Sequence, residues 1–437
     1  MNTLEDYLQQ DARLYPDKTA VVCGNEQITY ARLWLMVRER AKSLAHPRGT
    51  VVLFRASQDI EFLVTYLAIH LAGCVAAPLE KETPESRFNE LQQSLEGIIA
   101  PEGIADVLFT TGTTGKSKGV MISSKTIVAD AENLIAGQGF SHELVFIIHG
   151  PLNHIGSLSK IFPLIVQGAT IYILDGMKNL DFFFHALDYP CDKMATFFVP
   201  ANVRMLTQFA SGRLSDYAKK LDFIESGGAP LPHADMLELC RLLPDTRLYN
   251  TYASTETGII STYNYNDGRC IAGCLGHTMP HSKIIITPEG RISCQGDTLM
   301  SGYIGEPELT ATVLRDGTVY MSDLGHIDEE GMLHIGGRQD DVINVGGFKV
   351  APTEVEDAVL MLSEIRDCIC ISASHPITGR ALKLLVVMAD GQPFDKRRIA
   401  RYLSTKLEAY KVPLLYEQVE AIKRTYNGKL DRKAYNE

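Results

Sequence analysis

Short apolar runs of strand length alternate with amphipathic stretches of helical length through much of this chain, and that alternation constrains the fold more than any other feature. VVLF (51–54), CVAAPL (74–79), DVLFTT (106–111), LVFIIHG (144–150), TIYIL (170–174), MATFFVP (194–200) and LDFIESGG (221–228) are the strand-like runs. Amphipathic segments such as Ser57–Leu71 and Ala201–Ala210 lie between them. Apolar runs that alternate with amphipathic helices in this way predict an α/β fold. From Lys283 to Tyr303 the pattern changes to hairpins punctuated by Gly and Pro. A domain boundary is expected near Gly336–Asp341, dividing the chain into residues 1–339 and a small α+β unit, residues 340–437. That unit carries strands CICISAS (368–374) and LKLLVVMA (382–389) and a helix around Arg397–Leu407.

The stretch from Phe62 to Leu79 is apolar enough to raise a membrane span. Thr65, His70 and Gly73 interrupt it, and Gly73 reads as the stop of a buried helix before a strand. The net charge is −11 with no clustered basic run, which argues against a nucleic-acid partner. The first residues, MNTLEDYLQQDARLYPDK, lack the basic start and apolar run of a secretion signal, and the nine cysteines are scattered. Cys270 and Cys274 have no second pair to complete a zinc site, and Cys368 and Cys370 fall in an apolar strand. Reduced core thiols in a cytoplasmic protein are the expectation.

The most concentrated chemistry is LFTTGTTGKSKGV (108–120). A strand ends near Thr110, and a loop dense in Gly and Thr follows with two lysines. Glycines let backbone N–H groups approach an anion, while hydroxyls and lysines add donors and charge. A Walker A loop needs Gly five residues before the Gly of Gly-Lys-Ser, where Thr110 stands instead.

This loop resembles the phosphate-binding signature of the adenylate-forming superfamily, which includes acyl-CoA synthetases, aryl-CoA ligases, luciferases and peptide-synthetase adenylation domains. Further segments resemble that family's in the same order: PLNHIG (151–156), SGGAPL (226–231), YNTYASTETG (249–258), GDTLMSGYIGEPELT (296–310), YMSDLG (320–325), GRQDDVINVGGFKVAPTEVE (337–356) and RTYNGKLDR (424–432). The resemblance implies a large N-terminal domain of α/β subdomains with a smaller β-rich one, followed by a small mobile α+β domain. It also implies adenylation, an in-line attack of a carboxylate on the α-phosphate of ATP with pyrophosphate leaving, then acyl transfer to a thiol. Both reactants are anionic, so positioning and positive charge matter more than a base.

By that resemblance, Thr110, Thr111, Gly112, Thr113, Thr114, Gly115 and Lys116 cradle the β- and γ-phosphates. Glu256 binds Mg²⁺ and Thr255 touches the α-phosphate. Tyr252 stacks on adenine, with Thr251 beside it and the Gly228, Ala229 and Pro230 backbone flanking the ring's other face, while Asn250 reads the adenine amino edge. Asp323 accepts the ribose hydroxyls, with Arg338 beside it. Lys429 is the catalytic lysine, bridging the substrate carboxylate and the α-phosphate; considered alone it reads as a solvated lysine in a turn. His154 gates the acyl pocket. Asp340 is the pivot of a rotation between half-reactions, and Gly346 and Gly347 let backbone pass close to the pantetheine arm. Glu354 and Glu356 read as helix-cap or ion-pair carboxylates rather than catalysts.

This sequence departs from the family's pattern at several places. The segment between Arg87 and Ala105 is short, so an edge element is expected to be missing. Ala253 replaces a Gly beside Tyr252, and Asn344 replaces a common Lys. The region of Asn153 and His154 lacks the Asp that pairs an α-ammonium group, which favours a fatty, short-chain or aromatic acid over an amino acid. The expected acceptor is coenzyme A. A carrier-protein phosphopantetheine is the alternative, since NGKLDRKA resembles carrier-linked enzymes. A degenerate nucleotide sensor is the competing class, disfavoured by the presence of Glu256, Asp323, Arg338 and Lys429. The oligomer is expected to be a monomer or homodimer, without an integral membrane segment.

Overall fold

A computed structural model describes residues 3–111, 117–345, 348–375, 379–425 and 429–435. Its spine is a 14-stranded sheet. Six neighbouring strands of that sheet run parallel: Arg247–Ser254, Leu221–Gly227, Met194–Phe198, Val145–Ile148, Thr170–Ile173 and Thr19–Cys23. Alternate side chains feed two cores. Phe146, Ile148, Ala195, Phe223 and Tyr249 pack into one, together with the helices Ser124–Gln138 and Ile155–Val166. Val145, Ile147, Met194, Phe198, Ile224 and Leu248 face the other way, onto the helices Pro200–Phe209 and His233–Leu242. Cover on both faces is why these strands read as unbroken apolar runs.

The sheet continues antiparallel through Gly258–Asn264, Cys274–Thr278, Leu333–Arg338 and Thr318–Ile327 to the hairpin Ser282–Ile286 and Arg291–Gly296. The expected hairpin region is therefore present up to Gly296. Gly302–Tyr303 belongs elsewhere, pairing with Met121 and Val120 in a second, five-stranded sheet. That sheet also holds Ser117–Ser123, Ile104–Thr111, Val75–Glu80 and Val51–Ala56. Between Arg87 and Ala105 the chain forms most of one helix, Glu85–Leu95, an isolated bridge from Ile99 to Thr50, and the start of the strand Ile104–Thr111.

The apolar stretch after Phe62 is a helix, Ile60–Leu71, and then a strand. Asp59 caps the helix by accepting from Phe62 N at 3.1 Å, which sets its start three residues after the sequence reading, and Gly73 leaves it at φ +74°. No helix among the described residues is long and apolar enough to cross a membrane. All nine cysteines are free thiols.

The small C-terminal domain has its own core around Val355, Val359, Cys368, Cys370, Leu384 and Val386. Its three-stranded sheet consists of Ile365–His375, Gly379–Met388 and Leu415–Gln418, and its helices are Pro352–Leu360 and Lys396–Ser404. Both long strands run further than the apolar runs suggest, because their polar ends still pair in register. Glu356 accepts from Arg432 at 2.7 and 2.8 Å and from Cys370 N at 2.7 Å, and Glu354 pairs with Lys411 at 2.7 Å. Both carboxylates are thus structural, as the sequence suggested.

Candidate active site

The site is assembled at the ends of the parallel strands. The strand Leu221–Gly227 stops at Gly228, whose φ of +80° turns the chain into Ala229 and Pro230. Next to it, Arg247–Ser254 carries Asn250, Thr251, Tyr252 and Ala253, and a bulge between Tyr252 and Ala253 breaks its register with Gly258–Asn264. Successive strand residues point to opposite faces, so Tyr252 and Ala253 face different cores. Tyr252 packs among Ile260, Leu275 and Ile292, whereas Ala253 lies against the other core.

Tyr252 donates its hydroxyl to Asp323 Oδ2 at 2.5 Å, joining the parallel sheet to the strand Thr318–Ile327. Burial and the Asp323 carboxylate push this phenol well above its usual range, so it stays protonated. Asp323 and Arg338 are register partners on adjacent strands, with Arg338 Nε 3.5 Å from Asp323 Oδ1. Asn250 is buried and donates to Cys274 O at 3.0 Å; the Thr251 hydroxyl is held by Gln138 Nε2 at 2.9 Å and by Thr262.

Thr255 and Glu256 follow in the turn after this strand. Glu256 Oε1 accepts from the Tyr303 hydroxyl at 3.1 Å. The Lys118 ammonium lies 5.4 Å from the centre of the Tyr303 ring, and Lys118 pairs across the hairpin with Thr110. The mouth of the Gly/Thr loop and Glu256 therefore meet at Tyr303. Gly112, Thr113, Thr114, Gly115 and Lys116, the side chain of Thr111, and Gly346 and Gly347 lie outside the described residues.

The turn closes over Gly258 for a steric reason. Its φ is +65°, and a Cβ there would sit 2.4 Å from Asp130 Oδ1 and 2.7 Å from Thr298 O. Asp130 in turn accepts from Ile259 N at 2.8 Å. Burial pushes the Asp130 carboxyl up to about 8, against the lowering effects of that N–H and of Lys160.

His154 caps the helix Ile155–Val166, accepting from Gly156 N at 3.2 Å. Burial, reinforced by the charge of Lys429, pulls its imidazole down to about 4, so it is neutral near pH 7. Phe197 borders both Gly156 and Gly227, where an added Cβ would come within 3.3 and 3.4 Å of its ring. Behind Phe197 lies a buried pair, Lys160 Nζ to Glu225 Oε1 at 2.7 Å.

Lys429 comes to this cleft from the C-terminal domain. Its side chain is exposed to solvent, yet the protein packed around it lowers its pKa by partial desolvation. Arg338 lowers it further, while Asp323 and Glu256 oppose that. The same four groups and His154 thus share one electrostatic neighbourhood, although Lys429 is separated by long stretches of sequence from all of them. Asp340 is exposed within the 3₁₀ turn Gln339–Asp341 that follows Arg338. Lys118 is the second of the two lysines the sequence singled out in the Gly/Thr loop, whereas Tyr303 sits inside a marked segment where nothing local assigned it a role. Phe197 and Glu225 lie in runs that read only as strands, and Lys160 lies in a helix the sequence reading did not single out.

A two-domain α/β enzyme, with aromatic, acidic and cationic groups gathered at the ends of its parallel strands, is the class these features define. The chain belongs to the AMP-binding enzyme family. The family model matches residues 8–96 and 86–304, and the model of that family's C-terminal domain matches residues 354–429. The chain is similar to a 2-succinylbenzoate–CoA ligase from Listeria innocua, at 25% identity over 99% of each chain. It is also similar to a feruloyl-CoA synthase from an Amycolatopsis species, at 26% identity over 96% of this chain and 95% of that one. Among solved structures, ATP-bound MatB from Rhodopseudomonas palustris superposes with a TM-score of 0.87 at 23% identity, covering 99% of both chains. The o-succinylbenzoate CoA synthetase of Bacillus subtilis, in complex with its acyl-adenylate, gives 0.84 at 22%, covering 99% and 98%. These two superpositions establish the shared fold.

Proposed function

We propose that this protein activates an aromatic carboxylic acid with ATP, releases pyrophosphate, and transfers the acyl group from the adenylate to the thiol of coenzyme A. The observation that carries the proposal is the set of contacts Tyr252–Asp323–Arg338 and Tyr303–Glu256 at the strand ends, with the charge of Lys429 from the small domain felt at His154. The family membership and the named activities of the CoA-ligase relatives support the same reading.

In this reading Tyr252 holds adenine against the Gly228–Pro230 backbone. The adenine amino group is a donor, so the Asn250 amide oxygen is the atom that meets it, its NH₂ being anchored on Cys274 O. Asp323 accepts the ribose hydroxyls, its direction fixed by Tyr252 and Arg338. Thr110 through Lys116 hold the outer phosphates, with Thr255 at the α-phosphate. Glu256 suits Mg²⁺, because a hard cation that keeps several waters needs one or two carboxylates plus phosphate oxygens. No group of three or more potential metal ligands occurs among the described residues, which fits a cation held jointly with the nucleotide. That ion, when bound, neutralises phosphate charge. Lys429 bridges the acid's carboxylate and the α-phosphate as negative charge develops, so it must be protonated in the first step.

The acid enters beside neutral His154. Gly156 and Gly227 give the Phe197 ring room to form one wall of the acyl site, which suits a flat aromatic substrate. Asp340 serves as the hinge and sets the boundary at 339/340, while Gly346 and Gly347 pass the pantetheine arm. The free thiols fit a cytoplasmic enzyme. The test is acid-dependent exchange of pyrophosphate into ATP over a panel of aryl, fatty and amino acids, followed by thioester formation with coenzyme A and with holo-carrier proteins. Exchange with an aryl acid and product on coenzyme A support the proposal. Product only on a carrier transfers the assignment to carrier loading.

A further inference from the structure

Lys429 lies where the chain closes on itself. Arg424 and Leu430 form an antiparallel bridge, Thr425 N donates to Lys429 O at 2.8 Å, and Asp431 N donates to Lys423 O at 3.0 Å. Something must hold that closure against the large domain if the lysine is to reach a site built from the large domain's strands. Arg424 Nη2 contacts both oxygens of Asp367, at 2.8 and 3.0 Å. Asp367 lies on the strand Ile365–His375 of the small domain, and its Oδ1 accepts from Arg204 Nη1 at 2.7 Å. Arg204 belongs to the large domain, on the helix Pro200–Phe209 that directly follows the strand carrying Phe197. Its other nitrogens, Nη2 and Nε, are held by Asp235 Oδ2 at 2.8 and 3.2 Å.

Among the described residues, Arg204–Asp367 is the ion pair that crosses from the large domain to the small one. Arg204 and Asp235 are each 13% exposed and Asp367 18%, so the pair is shielded enough to matter energetically, unlike a solvated surface bridge. The guanidinium fork is what allows Arg204 to hold two carboxylates in fixed directions at once.

We propose that Arg204 is a positioning residue for Lys429: through Asp367 and Arg424 it docks the closure beside Lys429 onto the adenylation site. The inference rests on the reading of Lys429 as the adenylation lysine. That docking matters only for the step Lys429 serves, so removing Arg204 slows adenylation and spares thioester formation from pre-made acyl-adenylate.

The experiment compares Arg204→Ala, Arg204→Lys, Asp367→Asn and Lys429→Ala in pyrophosphate exchange and in thioester formation from a synthetic aryl-adenylate plus coenzyme A. A misplacement on the order of 1 Å costs about 10²-fold in rate. Arg204→Ala and Asp367→Asn are therefore expected to lower the exchange kcat by about 10- to 100-fold, with KM for ATP and acid unchanged and thioester formation at wild-type rate. Arg204→Lys should recover part of the loss. Arg204→Ala also strands Asp235, so Arg204→Ala/Asp235→Asn is the companion variant if the single one unfolds. Wild-type exchange in folded Arg204→Ala, or equal losses in both half-reactions, overturns the proposal. Undiminished exchange in Lys429→Ala would instead refute the role of Lys429 on which it rests.

Discussion

Replacing Lys160 by Met should cost far more stability than removing the same pair as a unit. Both side chains of the Lys160–Glu225 pair are 1% exposed, and their charged atoms are 2.7 Å apart. Glu225 Oε2 has no hydrogen-bond partner, so the carboxylate relies on the Lys160 ammonium at Oε1. Lys160→Met therefore leaves a buried carboxylate without compensation, which typically costs about 3–5 kcal/mol. Lys160→Met/Glu225→Leu removes both charges and fills similar volume, and such replacements range from neutral to stabilising by about 1–4 kcal/mol. The same change deprives Asp130 of the ammonium that opposes burial, so its carboxyl moves above about 8. Asp130 already titrates above its ordinary value of 3.8, and its contribution to stability falls as pH rises from there through about 8. In the single variant that loss continues to higher pH. Urea titrations followed by circular dichroism at pH 7 give the ΔΔG of the single and double variants. Equal destabilisation in both would show that side-chain packing, not a stranded charge, sets the cost.

Other outcomes can be stated briefly. Gly258→Ala should lower stability by about 1–3 kcal/mol or more, because its φ is +65° and its Cβ would fall 2.4 Å from Asp130 Oδ1; a thermal melt at wild-type temperature would contradict that. Burial and Arg338 hold Lys429 below its ordinary value of 10.5, so pyrophosphate exchange should fall on the alkaline side as the lysine loses its proton. Thioester formation from pre-made adenylate should lack that limb, and coincident limbs in both profiles would contradict the assignment. Ala253→Gly should shift selectivity toward bulkier aryl acids by about 1–3 kcal/mol, read as the ratio of kcat/KM for a large and a small acid; an unchanged ratio places Ala253 away from the acyl group.

Local chemistry made much of the fold legible. Apolar runs that alternate with amphipathic helices betray an α/β fold, and the cap at Asp59 and the stop at Gly73 follow from backbone rules that act within a few residues. Motif order marked Glu256, Asp323, Arg338 and Lys429, and all four share one electrostatic neighbourhood. What stayed hidden depends on distant parts of the chain meeting. Gly302–Tyr303 reads as the end of a hairpin but pairs with a strand far upstream, and that pairing is what brings the Tyr303 hydroxyl to Glu256. Lys160 reads as an ordinary helix residue until Glu225, on a strand of the sheet beneath it, supplies its partner. Arg204 and Asp367 each look like surface charges on an amphipathic helix and a strand end, and only the docking of two domains makes them a pair.

The central claim is that a carboxylate oxygen attacks the α-phosphate of ATP. Supplying an aryl acid labelled with ¹⁸O in its carboxyl group, with ATP and coenzyme A, tests it directly by mass spectrometry of the nucleotide product. The account predicts AMP carrying one labelled oxygen in its phosphate, together with unlabelled pyrophosphate and the aryl thioester. ADP with label in inorganic phosphate, or AMP without label, would contradict it.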